Sequence, residues 1–311
     1  MKITGTPGNG KERVENLIER RECPLCGGDE SLLVKPRGIA SVVQCADCGL
    51  VFQNAVAGDA HMELGTPEDV SAADEYSERF FRSRESLFRA IMRQIERETS
   101  VPGKLLDIGC GFGHLMRTAR DKGWDVTGVD VTPGAIAVCR KHGLVVFEGT
   151  LEDLNPAPET FDAVTMIGVI EYLVDPLREL GSVARILKPG GVLVVRAINL
   201  DFHLPAHRIH KLGAGLFNRL GLRDPAIFHR FTFSPRNFRY CAERAGLRAL
   251  RIIPSPSTRG DPYGYAKKRP AKALTSPVVT AVDVLARTAA AATRGRRIIS
   301  TAFIAVCAKT P

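Results

Sequence analysis

Residues 104–130 read KLLDIGCGFGHLMRTARDKGWDVTGVD, and this stretch decides the fold. Two apolar runs, KLLDIG and DVTGVD, have the length and composition of buried strands, and a helical segment separates them. The first run leads into Gly109, Gly111 and Gly113, which let the chain turn sharply and bring its backbone close to a ligand. Asp130 ends the second run, where a carboxylate can accept hydrogen bonds from both hydroxyls of a ribose. The stretch therefore predicts a nucleotide site at the carboxyl ends of the two strands.

Strands and helices alternate on both sides of this stretch. A helical pattern with one apolar face runs from Tyr76 to Glu98 before it. After it come three strand-like runs, LVVFEG, FDAVTMIG and GGVLVVRA, and two further strands are predicted at residues 247–254 and 301–309. Alternation of this kind is typical of an α/β fold with a parallel sheet and helices on both faces. The 311 residues are ample for such a core.

Four motifs carry a resemblance to a known family. In order along the chain they are LLDIGCGFGHLM, VTGVD, FDAVTMIGVIEYLVDP and ARILKPGGVLVV. They resemble the successive motifs of class I S-adenosylmethionine-dependent methyltransferases, and the resemblance covers residues 76–252. It implies a Rossmann-like seven-stranded methyltransferase sheet and S-adenosylmethionine as the methyl donor. The donor-binding residues that it implies are Asp107, Gly109 and Gly111 around the methionine moiety, Asp130 on the ribose, Leu151 and Glu152 beside the adenine, and Ile167 in the fourth-strand motif.

The chain departs from related patterns at two places. Thr150 stands where the family usually has an acidic residue near the adenine, so part of the adenine contact is expected from the backbone. Quinone O-methyltransferases have Glu-x-x-Glu-His after the fourth strand, whereas this chain has Gly168, Glu171 and Tyr172 there. We therefore expect no catalytic metal at these positions, and we expect Glu171 to cap or pack the following turn.

Four of the seven histidines cluster between residues 203 and 229, after the fifth strand, where the resemblance places the acceptor of the methyl group. We take His229 as the first candidate for a catalytic base or substrate contact and His207 as the second. The alternative for His229 is a histidine that fixes its own loop by a local hydrogen bond. His203 and His207 could share a metal only on a helix, which Pro205 disfavours.

Four of the eight cysteines have the spacing of metal ligands. Cys23 and Cys26 form one C-x2-C pair, and Cys45 and Cys48 form a second pair after a spacer long enough for two short strands. This spacing predicts a structural zinc ribbon with three short strands, in which four thiolates leave no open position for chemistry. Iron in a rubredoxin-like site is the alternative metal. Disulfides are the other alternative, and the expected cytoplasmic location disfavours them.

The predicted domain order is a flexible tail over residues 1–21, the zinc ribbon over 22–54, a linker over 55–75 and the methyltransferase domain over 76–311. Residues 255–297 form a basic insertion in the last domain. One helical face is apolar and carries Leu212, Leu216, Phe217 and Leu220. We expect this face to pack as a lid over the acceptor, which is commoner than the alternative of an interfacial helix. No apolar run has the length of a signal peptide or a membrane span, so we expect a soluble, cytoplasmic chain.

Charge is distributed unevenly along the chain and bears on its partners. Residues 1–200 hold 23 Lys/Arg against 29 Asp/Glu, whereas residues 201–311 hold 20 against 5. A basic third fits an anionic membrane surface, a lipid-linked phosphate or RNA, and it fits a merely solvated face about as well. The leading prediction is methyl transfer to a hydroxyl or carbon of a small-molecule, sugar or lipid-linked acceptor. One alternative is an RNA methyltransferase, but the small number of aromatic residues argues against it. The other is a non-catalytic donor-binding scaffold, and the intact glycine turn argues against that.

Overall fold

The computed structural model describes residues 17–19, 22–35, 41–57, 70–219, 224, 228–256, 288, 293, 298 and 300–310. The strands are β1 (Leu17–Glu19), β2 (Ser31–Lys35), β3 (Val42–Cys45), β4 (Val51–Gln53), β5 (Ala55–Ala57), β6 (Lys104–Ile108), β7 (Asp125–Asp130), β8 (Val145–Glu148), β9 (Phe161–Ile167), β10 (Leu187–Ile198), β11 (Phe231–Thr232), β12 (Leu247–Pro254) and β13 (Ala302–Lys309). The helices are α1 (Val70–Ile95), α2 (His114–Arg120), α3 (Pro133–Lys141), α4 (Leu151–Leu154), α5 (Pro176–Ile186), α6 (Leu200–Leu212), α7 (Ala214–Arg219) and α8 (Pro235–Arg244).

Seven strands form the central sheet, in the order β12-β13-β10-β9-β6-β7-β8. The five strands from β10 to β8 are parallel, and β13 is antiparallel to both of its neighbours. The order reverses at β6, so the chain leaves β6 and β9 on opposite sides of a crevice, the usual ligand position in an open α/β sheet. This confirms the predicted seven-stranded α/β fold, including both strands near the carboxyl terminus.

Apolar side chains cover both faces of this sheet. On one face the second half of α1 packs Leu87, Ile91 and Ile95 against the sheet. On the other face α5 and α8 pack against it, and the same core continues into the cysteine-rich segment through Leu25, Leu50 and Phe52. The helix predicted over Tyr76–Glu98 is therefore confirmed, and it begins earlier, at Val70.

A second sheet contains the cysteine-rich segment. Its strand order is β11-β4-β3-β2, and all neighbours are antiparallel. We call β2, β3 and β4, with their cysteine turns, the ribbon. The three strands are those predicted from the sequence, but the fourth, β11, comes from the carboxyl-terminal third of the chain. A further two-stranded pair joins β1, within the predicted tail, to β5, within the predicted linker.

Helix α6 differs from the sequence-based expectation in two ways. The chain stays helical through Pro205, which lies in the interior of the helix. Leu212 is 91% exposed and Leu216 is also exposed, so neither packs as a lid over the acceptor side. Most of the predicted insertion, including residues 257–287, lies outside the described residues. Within the part of the chain that the structure describes, no helix is long and apolar enough to cross a membrane.

Candidate active site

The turn after β6 is built so that only glycine fits at its first position. Gly109 has a φ of +66°, and a Cβ there would lie 2.4 Å from Cγ2 of Val169. Gly111 has a φ of +53°, but a Cβ on it would meet nothing within 4 Å. Backbone at Gly111 therefore borders open space, as a close approach of a bound molecule requires. The structure thus places two of the predicted donor-binding glycines together at the mouth of the crevice.

Asp130 holds this turn in place. Its Oδ2 accepts a hydrogen bond from the backbone N–H of Gly111 at 2.7 Å, and its Oδ1 accepts one from the N–H of Thr132 at 2.9 Å. Each carboxylate oxygen can accept a second bond, so these contacts leave acceptor capacity for a ligand hydroxyl. The side chain predicted to contact the ribose therefore also orders the turn beside it.

Asp107 is a buried carboxyl group at the centre of the site. It is 3% exposed, and its Oδ1 accepts a hydrogen bond of 2.6 Å from the hydroxyl of Thr165. Burial, with a smaller contribution from the nearby charge of Asp130, raises the pKa of Asp107 to about 7, while the Thr165 bond opposes the shift. Near pH 7 this carboxyl group is partly protonated, and a positively charged ligand beside it would favour loss of the proton.

The predicted adenine contacts have mixed surroundings. Thr150 caps α4, because its hydroxyl accepts from the N–H of Asp153 while the Asp153 carboxylate accepts from the N–H of Thr150. Leu151 is buried at the start of this helix. Glu152 points outward and forms an exposed ion pair with Arg178 at 2.6 Å. Thr150, which departs from the family pattern, thus has a structural reason in the helix cap.

The amino-terminal half of α1 is fastened beside the glycine turn by contacts that sequence reasoning missed. The hydroxyl of Ser77 lies 3.1 Å from Nε2 of His114, the first residue of α2. Asp74, at the end of the predicted linker, lies 2.8 Å from Nε2 of His142 and also pairs with Lys141. Burial lowers the pKa of His114 to about 4, so this histidine is neutral at physiological pH.

Asp74 and His142 also lie close enough to Glu78 to share a metal ion. Glu78 forms an ion pair with Arg117, and Lys141 neutralises Asp74. These cations hold the pKa values of both carboxyl groups below their usual range. The cluster therefore works as an ion-pair clamp between α1 and the helices next to the donor loop.

His229 lies against the segment that follows β9. Its Nε2 is 3.2 Å from the hydroxyl of Tyr172, and the two rings meet edge to face with centroids 4.5 Å apart. Glu171 is fully buried, and its Oε1 accepts a hydrogen bond of 2.8 Å from the N–H of Ile198 at the end of β10. This agrees with the expectation that Glu171 packs the turn. Val169 of the same segment lies against Gly109, so the segment after β9 contacts both the donor turn and His229.

His207 binds two other parts of the chain. Its Nδ1 lies 2.7 Å from the carboxylate of Asp224, and its Nε2 lies 3.3 Å from the backbone oxygen of Val34 in the ribbon. Both partners are acceptors, so the ring makes both hydrogen bonds only when both nitrogens carry protons. His203 is on the same helix, and its Nε2 faces the backbone oxygen of Thr301. The two histidines thus have separate partners and do not converge on a common point.

The four ribbon cysteines converge on one point. Their sulfurs all lie within 4.8 Å of one another, with Cys23 and Cys48 at 3.6 Å and Cys26 and Cys45 at 3.6 Å. Both cysteine turns are closed by backbone hydrogen bonds, and each contains a glycine with positive φ after its second cysteine. A hydrogen bond from Cys48 lowers the pKa of Cys23 to about 5. Four sulfurs that converge in this way could hold one metal ion.

Comparison with known proteins extends this picture. A family model described as a methyltransferase domain matches residues 79–252. The ubiquinone biosynthesis O-methyltransferase of Coxiella burnetii is 33% identical over 171 residues, which cover 52% of this chain and 70% of that protein. The protein of the same name from Cereibacter sphaeroides is 39% identical over 120 residues, 35% of this chain and 49% of that protein, so the chain spans about half of its length. A Thermotoga maritima structure described as a possible histamine N-methyltransferase aligns over 78% of this chain and 97% of its own, with 20% identity and a TM-score of 0.48.

Proposed function

This chain belongs to the S-adenosylmethionine-dependent methyltransferases, since the methyltransferase-domain model matches more than half of it, and we propose that it methylates a hydroxyl group of a small-molecule acceptor. The acceptor class includes free molecules and those carried on a sugar or lipid. One observation carries the proposal: the segment after β9 contacts Gly109 through Val169 and His229 through Tyr172. The O-methyltransferase names of the relatives agree with a hydroxyl acceptor.

The donor half of the site fits S-adenosylmethionine, which supplies an electrophilic methyl group on a positively charged sulfur. Gly109 and Gly111 offer backbone that a ligand can approach closely, and Asp107 offers a buried carboxylate to a cationic donor. Asp130 has acceptor capacity for the ribose hydroxyls. Leu151 and Ile167 would provide apolar contacts near the adenine end, and Glu152 would contribute through its backbone because its side chain pairs with Arg178.

The acceptor half requires a base if the acceptor is a hydroxyl group. His229 would take the hydroxyl proton as the oxygen is methylated, and the surrounding protein would position the two reactants and exclude water. His207 is a weaker candidate for this role, because its two ring nitrogens already face the carboxylate of Asp224 and the backbone oxygen of Val34. We therefore assign the base to His229 and a structural role to His207.

The acceptor class can be tested with the purified protein and methyl-tritiated S-adenosylmethionine. The protein is incubated with an extract of cells that lack its gene, and the label is counted in RNA, protein, lipid and small polar fractions. Label in the small-molecule or lipid fraction, absent with a Gly111→Arg control, supports the proposal. Label in RNA would instead favour the RNA alternative and contradict the proposed acceptor.

We further propose that the ribbon cysteines hold one structural zinc ion. The convergence of four sulfurs within 4.8 Å of one another, the two closed turns and the small size of the ribbon support this assignment. Native mass spectrometry of the intact chain should show one zinc ion per protein. A Cys45→Ser variant should lose it, and wild-type protein that carries iron or no metal would contradict the assignment.

A further inference from the structure

Strand β11 connects the ribbon directly to the loop that carries His229. In this pairing Phe231 lies opposite Phe52 and Thr232 lies opposite Val51. The ladder continues one step further, because the N–H of Gln53 donates to the backbone oxygen of Arg230 at 3.0 Å. His229 is the next residue along the chain. Its position relative to the sheet is therefore fixed by a ribbon strand from the opposite end of the sequence.

The same loop is held from the other side by the segment after β9. The N–H of Phe231 donates to the backbone oxygen of Glu171 at 3.0 Å. Glu171 is itself anchored to the end of β10 through Ile198. Tyr172 comes next and places its hydroxyl 3.2 Å from Nε2 of His229. His229 is thus held by two supports: the ribbon ladder begins at the next residue of the backbone, and Tyr172 contacts the imidazole ring.

We propose that Tyr172 is a positioning residue that fixes the orientation and tautomer of His229, and that the ribbon serves the acceptor half of the site by holding His229 against Tyr172. This inference rests on the proposed role of His229 as the base. When Nε2–H donates to the Tyr172 hydroxyl, the lone pair that accepts a proton is on Nδ1, because the partner of one ring nitrogen determines which nitrogen is protonated. A ribbon with this task needs no contact with the methyl donor.

Other contacts support the donor half of the site, so the proposal distinguishes an effect of the ribbon on His229 from an effect on the whole domain. The glycine turn is held by Asp130 and Thr132, and α1 contacts α2 through Ser77 and His114. These contacts lie within residues 77–132 and do not pass through β4 or β11. A change in the ribbon ladder should therefore alter His229 while His114 and donor binding stay as they are.

The first test replaces Tyr172 by phenylalanine, which keeps the ring that packs on His229 and removes only the hydroxyl. Proton–nitrogen NMR of histidine-labelled full-length protein separates the two tautomers, and the His229 signal is assigned by its loss in His229→Asn. Wild-type His229 should show one dominant tautomer with the proton on Nε2. Tyr172→Phe should show averaged nitrogen shifts. An unchanged tautomer in Tyr172→Phe, or an Nδ1–H tautomer in the wild type, would overturn the role of Tyr172.

The second test weakens the ribbon ladder at Gln53. Gln53→Pro removes the N–H that donates to Arg230, and Gln53→Ala is the matched control that keeps it. Gln53→Pro should shift and broaden the His229 signal, whereas Gln53→Ala should leave it unchanged. The His114 signal and the calorimetric Kd for S-adenosylhomocysteine should stay within about twofold of the wild type in both variants.

Two outcomes of the second test would overturn the role of the ribbon. One is a His229 signal that is unchanged in Gln53→Pro. The other is loss of the His114 signal and of S-adenosylhomocysteine binding together with the His229 change, since the ribbon would then support the whole domain. Neither measurement needs the acceptor. If His229→Asn kept full methyl transfer, the proposed base would fail while the NMR result still stood, so the two failures are distinguishable.

Discussion

Replacing Asp107 by asparagine should stabilise the ligand-free protein at alkaline pH. The folded carboxyl group has a pKa of about 7 against an ordinary value of 3.8, because it is buried. Between these two values the native state binds more protons than the unfolded state, so the free energy of unfolding falls as pH rises through this window. The raised pKa lowers the free energy of unfolding by about 2 kcal/mol at pH 5, where the folded group is still protonated, and by about 4 kcal/mol at pH 8, where it is ionised. Asparagine keeps a hydrogen-bond acceptor for Thr165 and carries no such cost.

The assay is denaturant unfolding of the wild type and Asp107→Asn between pH 5 and pH 8, without ligand. Other titrating groups are shared by both proteins, so the difference between their free energies of unfolding isolates Asp107. This difference should grow by about 2–3 kcal/mol from pH 5 to pH 8 in favour of the variant. A difference that does not depend on pH would refute the raised pKa and the reasoning built on it.

The same variant should bind the donor less well. A cationic ligand next to Asp107 lowers the pKa of the carboxyl group, so binding near pH 7 releases a proton. Calorimetric binding enthalpies of S-adenosylmethionine should therefore depend on the ionisation enthalpy of the buffer for the wild type and not for Asp107→Asn. The variant should lose about tenfold or more in affinity, the value of a hydrogen bond to a charged group. Equal affinity in both proteins would place the donor away from Asp107.

Three other changes give separate tests. Gly109→Ala should lower the free energy of unfolding by about 2–4 kcal/mol, because the added Cβ would clash and the φ angle is positive. Gly111→Ala has a positive φ but open space around the added Cβ, so it should lower the free energy of unfolding by only about 1–2 kcal/mol. Equal losses in denaturant unfolding would contradict the clash at Gly109. His207→Ala should lower the free energy of unfolding by about 1–3 kcal/mol, because α6 loses its hydrogen bonds to Asp224 and the ribbon, and Asp224→Asn should lower it by less. An unchanged free energy of unfolding in His207→Ala would show that these hydrogen bonds do not form in solution. Chelation of the proposed ribbon zinc should lower the Tm by at least about 5 °C in differential scanning calorimetry, and an unchanged Tm would contradict a zinc ion on which the ribbon fold depends.

The donor half of the site could be predicted from sequence because its determinants are close together along the chain. The glycine turn and Asp130 all lie between residues 109 and 130, and the bond from Gly111 to Asp130 joins neighbouring strands of one βαβ unit. Hydrophobic periodicity and glycine placement report such local structure directly. The same holds for the cysteine pairs, whose spacing predicts their convergence on one point.

Long-range contacts explain what the sequence did not reveal. The pairing of Val51 with Thr232 joins segments far apart in the chain, and a two-residue strand has no periodicity to detect. Asp74 lies in a stretch with the composition of a linker, yet its carboxylate pairs with Lys141 in α3 and with His142, which follows that helix. Helix α6 continues through Pro205, although a proline inside a helix removes one intrahelical hydrogen bond and usually kinks or breaks the helix. The first two outcomes depend on tertiary partners.

This difference in how the two halves are built has a functional consequence. The glycine turn is held by Asp130 within one supersecondary unit, whereas Asp107 also bonds to Thr165 of β9 and Gly109 packs against Val169. The proposed acceptor half would be assembled from the ribbon, the turn at Glu171, helix α6 and strand β11, which only tertiary contacts bring together. Substitutions in any of these elements can therefore alter the acceptor pocket without loss of donor binding. On the proposed role of the ribbon, substitutions in it should alter the use of the acceptor before they alter binding at the glycine turn and its carboxylates.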